Sequence, residues 1–165
     1  MELEKQTSKQ AYIMLLSDAS RKKIGVLRAL LDLTEQQDII ISDEDFNEDL
    51  FLETINQKEE QIKMLTEIDD GFDKLYKSVR EELITDKAKY AVPIISLKDQ
   101  ISEITDLSVE LQVLERRNKA KLEVIFARKR NDIKMSRLNN QSVVNYYKSM
   151  SVRQDDQSYF YDKKK

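Results

Sequence analysis

The sequence predicts an all-α fold: an elongated antiparallel bundle of three long helices with coiled-coil-like packing, followed by a short or flexible C-terminal segment. Three observations predict it. First, apolar residues recur at steps of three, four and seven. Ile55, Ile62, Leu65, Phe72, Val79 and Leu83 make one seam, and Ile101, Ile104, Leu111, Leu122 and Ile125 make another. Second, the 165 residues hold only two glycines and one proline, too few for many strands and tight turns. Third, 40% of residues are hydrophobic and 36% charged, which suits narrow apolar stripes between wet, charged faces. At about 1.5 Å per residue, a helix of about forty residues spans roughly 60 Å. The length allows one domain with a modest core.

The first helix is expected from about Ser8 to Asp38, capped by Thr7 or Ser8. Ile13, Leu16, Ala19, Leu27, Leu30 and Leu31 form its apolar stripe. Ile39, Ile40 and Ile41 are β-branched and form helices less readily, so a link is expected there. Ser42-Asp43-Glu44-Asp45 looks like a helix start. A serine hydroxyl can accept from a free backbone N–H, and acids in the first turn meet the positive end of the dipole. The second helix should continue to about Thr85. Gly71 lies inside it, read either as a tolerated surface glycine or as the site of a close helix crossing. Asp86 to Val92 is the expected turn. Pro93 lacks an amide hydrogen, which suits the first helical position, and it should push Val92 out of the helix. The third helix is expected to reach about Leu138, where Asn139 and Asn140 can end it. Residues 1–138 would then form the bundle, and 139–165 a segment of the same domain.

Charge is distributed unevenly. Eleven acids face one base, Lys58, between Asp32 and Glu60, while nine bases face two acids between Arg116 and Arg137. Folding the chain back near Pro93 would set residue i opposite roughly residue 180 − i, with the acidic start of helix two beside the basic end of helix three. Each exposed pair contributes only about 0–1 kcal/mol, but the shared sign favours an antiparallel hairpin. Arg116–Arg137 could also serve a nucleic-acid-associated regulator. A net charge of −3 and the matching acidic segment favour a neutralised helix face, with no nucleic-acid partner. Asn118 falls on the third helix's seam between Leu114 and Leu122. There it can fix pairing by demanding a hydrogen-bond partner, or it can lie at the rim.

The chain contains neither histidine nor cysteine. Catalysis by a Ser-His or Cys-His pair is excluded, as are imidazole and thiolate metal sites and disulfides. No enzyme, cofactor or metal site is expected. Met1–Gln10 is polar and lacks the apolar stretch of a signal peptide, and no apolar run approaches the ~20 residues that cross a bilayer. A cytoplasmic location without a membrane span is therefore expected.

Asn139–Lys165 holds five of the twelve aromatics, namely Tyr146, Tyr147, Tyr159, Phe160 and Tyr161. Aromatic residues concentrate in binding hot spots. The segment is read either as a partner-binding arm or as a tail docked on its own bundle.

Four stretches together resemble the FlgN family of flagellar export chaperones. Leu27 to Gln37 is similar to the leucine-rich end of that family's first helix. Ile55-Asn56-Gln57-Lys58, followed by Ile62, Leu65, Asp69, Asp70 and Phe72, is similar to its central helix. Leu114 to Leu122, with Asn118 inside, resembles its asparagine-and-leucine segment. Asn145-Tyr146-Tyr147, together with Tyr159-Phe160-Tyr161-Asp162 and the final lysines, resembles its tail, although Lys148-Ser149-Met150 stand where a glycine is common. The resemblance implies a cytoplasmic chaperone. It would bind the C-terminal helical segments of hook–filament junction proteins and deliver them to the type III export apparatus. The implied client-binding residues are Leu122, Ile125, Phe126, Val143, Val144, Tyr146, Tyr147, Tyr159, Phe160 and Tyr161. A general coiled-coil adaptor or another secretion chaperone is the alternative, and a homodimer stays open.

Overall fold

A computed structural model describes residues 2–85, 91–128 and 145–149. The described residues form three long helices that pack against each other, α1 (Glu2–Ser42), α2 (Glu48–Thr85) and α3 (Ala91–Arg128), with no strand among them. The all-α reading holds. The expected stop of the third helix at Leu138 lies outside the described residues, as does the turn at 86–90.

Two boundaries differ from expectation. Helix α1 begins at Glu2 rather than near Ser8 and runs through Ile39–Ile41 to Ser42. Ile41 is buried there, and its packing outweighs the modest helix propensity of a β-branched side chain. Consequently Ser42 ends a helix instead of starting one, and α2 starts at Glu48. Its cap is Asn47, whose Oδ1 accepts from the Leu50 backbone N–H at 3.2 Å. Glu48 and Asp49 occupy the first turn. Phe46, just before the cap, packs against Phe51 at 5.8 Å between ring centroids and fixes the entry of the chain. Asp43 lies in the link, where its carboxylate accepts from the Asp45 N–H at 3.1 Å.

Pro93 is the third residue of α3 rather than the first, and Val92 is helical. The first N–H groups of a helix have no internal partner, so a proline in the first turn breaks no hydrogen bond. Gly71 is exposed, and a side chain there would meet nothing within 4 Å. It is a surface glycine, and the close-crossing reading is corrected.

The chain divides into two compact units. Unit 1 comprises residues up to Leu31 together with Gln61–Glu110. Its centre is Leu16, Val79 and Leu97, surrounded by Phe72, Leu75, Tyr76 and Ile101. The Lys23 ammonium meets the Asp69 carboxylate at 2.7 Å, and Arg28 pairs with Glu103. Residue order in these contacts sets α2 antiparallel to α1, and α3 parallel to α1. Val79 packs with Leu97 and Ile101, close to the expected hairpin register.

Unit 2 comprises Asp32–Glu60 and residues from Leu111 onward. Among the described residues, its buried apolar and aromatic side chains are Ile41, Phe51, Ile55, Leu111, Leu122 and Tyr146. Here Lys58 reaches Glu115, not Leu122 as the expected register would have it. An ion pair between the two oppositely charged segments, Lys121 to Asp38, joins α3 to α1 rather than to α2.

Candidate functional site: a buried charged node in unit 2

The seams of all three helices turn polar within unit 2. On α1, Leu27 and Leu30 give way to Thr34 and Gln37 before Ile41 restores the apolar run. On α2, Thr54 and Lys58 interrupt the series around Ile55 and Leu65, and on α3 Glu115 and Asn118 fall between Leu111 and Leu122. Helical spacing aims all six inward, and all six are buried.

Lys58 is the centre, with no exposed surface. Its ammonium donates to Gln37 Oε1 at 2.8 Å and to the Glu115 carboxylate. Gln37 Nε2 donates to Thr54 Oγ1 at 3.0 Å, and that hydroxyl donates to the Phe51 carbonyl at 2.6 Å. Thr34 Oγ1 donates to Glu115 Oε1 at 3.2 Å. Asn118 Nδ2 donates to the Thr34 carbonyl at 2.9 Å, so Asn118 is a pairing residue and not a rim position.

The node is completed from residues 145–149, which are helical. Tyr146 is buried, its ring lying over the Lys58 ammonium at 4.5 Å from the centroid, and its hydroxyl donates to Glu115 Oε1. Tyr147 packs edge-on against Tyr146 at 5.2 Å. At these residues the tail docks on its own bundle.

The pairing is incomplete. Glu115 Oε2, Asn118 Oδ1 and the Tyr147 hydroxyl are buried without a partner. Such groups cost about 1–3 kcal/mol each. Burial pushes the Lys58 ammonium down from 10.5 to about 8, against the charge and hydrogen bond of Glu115, which hold it up. Burial, then the Glu115 charge and hydrogen bond, pushes the Tyr146 phenol well above 10.0. Tyr147 is pushed up by burial and then by Glu115.

These directions predict a pH signature. Between pH 8 and 10.5 the unfolded chain holds a proton on Lys58 that the folded chain has released, so stability rises with pH. Above pH 10 the unfolded tyrosines lose protons that folded Tyr146 and Tyr147 keep, so stability falls. The urea midpoint should therefore climb from pH 8 to about 10 and then drop. In Lys58→Met the climb should vanish and the drop remain.

The other residues expected to bind a partner fall into two groups. Leu122 is buried, while Ile125 and Phe126 on the same helix are half-buried. Val143, Val144, Tyr159, Phe160 and Tyr161 lie outside the described residues. The sequence reading did not single out the Lys58–Glu115 pair as a site. Its available signal was the one base in an acidic stretch, placed on an apolar seam.

Among the described residues no cluster of acids could hold a metal ion, and no helix is long and apolar enough to cross a membrane. The fold and node define a three-helix bundle whose seam carries a buried ion pair covered by a tyrosine. The chain matches no protein-family model, and neither a curated protein nor a solved structure is significantly similar to it.

Proposed function

We propose that this protein is a cytoplasmic flagellar export chaperone. It binds the C-terminal helical segments of hook–filament junction proteins and delivers them to the type III export apparatus. One observation supports this reading above the rest. The four stretches that carry the resemblance to the FlgN family each supply the node, through Thr34 and Gln37, Lys58, Glu115 and Asn118, and Tyr146. Stretches far apart in sequence thus converge on one place. The bundle offers helical faces for helix-in-groove recognition, and the aromatic arm beyond α3 supplies large contact side chains. A chain without histidine or cysteine suits binding better than acid–base or thiol chemistry.

The test is calorimetric titration with the C-terminal helical fragment of a hook–filament junction protein. The full chain should bind it. A chain ending at Leu138 should stay helical by circular dichroism yet lose most of the affinity. Retained affinity would move the binding site onto the bundle. Failure of the full chain to bind any junction-protein fragment would sink the reading.

A further inference from the structure

Tyr146 sits in unit 2 much as a ligand sits in a site. The bundle supplies both groups that recognise it. The Lys58 ammonium lies under the ring, and the Glu115 carboxylate accepts the hydroxyl. Both groups are buried and held by their own hydrogen bonds, Lys58 to Gln37 and Glu115 from Thr34. The seat is therefore built from the bundle's own residues.

The occupant is less firmly held than the seat. Its hydroxyl donates to Glu115, whereas Lys58 and Glu115 each have a further partner within the bundle. It also leaves the Tyr147 hydroxyl buried and unpaired, and Glu115 Oε2 and Asn118 Oδ1 remain buried without a partner. Two of these orphans are acceptors. A competing segment that brings a tyrosine together with one further donor would satisfy more of the node than the chain's own arm does.

We propose that the Lys58–Glu115 node is a tyrosine-binding site, which exchanges its own Tyr146 for a tyrosine presented on a helical segment of a partner protein. The seat reads the phenol and not merely a ring. A phenylalanine would keep the contact with Lys58 but leave the Glu115 carboxylate without its donor. A phosphotyrosine would set a dianion against that buried carboxylate and be rejected. This inference goes beyond the export reading and does not depend on it, because its test uses no export client.

The test uses the full chain carrying Tyr146→Ala, which empties the seat, and a synthetic peptide of residues 139–149 as the probe. Calorimetry should show the peptide binding this variant at least tenfold more tightly (about 1.4 kcal/mol) than it binds the native chain, whose seat is filled. The Tyr146→Phe peptide and the Tyr146-phosphorylated peptide should each bind at least tenfold more weakly than the native peptide. Equal affinity of the Tyr146→Phe peptide would overturn the proposal, and so would no binding to a Tyr146→Ala chain that remains helical. If that variant does not fold, the Tyr146→Phe chain takes its place. It keeps the ring and lacks the hydroxyl, so the native peptide should bind it at least tenfold more tightly than it binds the native chain. Equal binding to the two chains would overturn the proposal.

Discussion

Lys58→Met is expected to destabilise the protein by about 3–5 kcal/mol, the range found when one partner of a buried ion pair is removed. Methionine keeps the length and most of the volume of the lysine, so packing loss is small. The damage is electrostatic. Glu115, 3% exposed, loses the ammonium that neutralises it, and Gln37 Oε1 loses its donor. The Tyr146 ring also loses the cation beneath it. For a chain of this size the thermal midpoint should fall by roughly 10 °C. The double variant Lys58→Met with Glu115→Gln should recover more than half of the loss. A neutral amide needs no counter-charge and still accepts from Tyr146 and Thr34. Differential scanning calorimetry on the native chain, both single variants and the double variant closes the cycle. A double variant no better than Lys58→Met would show that the node is not held by charge pairing.

Leu65→Ala and Leu111→Ala are each expected to cost about 2–4 kcal/mol. Leu65 is 2% exposed in unit 1 and Leu111 is 3% exposed in unit 2. Both side chains are buried, and truncation leaves a cavity that helix backbones collapse into only in part. Urea unfolding should show lowered midpoints for both variants. Changes below about 0.5 kcal/mol in both would mean that these residues do not line the core.

The helices were legible because their signal is periodic. Ile55, Leu65, Val79, Leu111 and Leu122, named from spacing alone, are all buried. The boundaries were less legible, since they depend on tertiary packing and on local caps. Ile41 reads as a helix breaker until it is buried, and Asn47 reads as an ordinary polar residue until its carboxamide accepts the Leu50 N–H. The node was half legible. Asn118 stood out as a polar residue on a seam. Lys58 and Glu115 were hidden by their charge, because single-residue tendencies place lysine and glutamate outside. Only the coincidence of polar seam positions on three helices marks them, and that coincidence needs the register between helices, which no single stretch contains. The opposed charge blocks proved a partial guide. Asp38 and Lys121 pair, but through α1, and the most buried pair has the reverse polarity to its surroundings.

The parallel course of α1 and α3 bears on the order in which the node is assembled. In unit 2 the residues joined between these helices stand 79 to 84 positions apart in the chain. Most small helical bundles acquire their native contacts between near neighbours in sequence and fold quickly for that reason. Here the first helix can meet the second early, with Lys58 held by Gln37 alone. The third helix can then zip along the second from the contact of Val79 with Leu97 and Ile101, a local hairpin that leads up to Glu115. During synthesis Glu115 and Tyr146 emerge after Lys58, so the ammonium waits in a half-built interior for its counter-charge and its lid. The node is thus complete only when the third helix and Tyr146 have both docked on the first two helices.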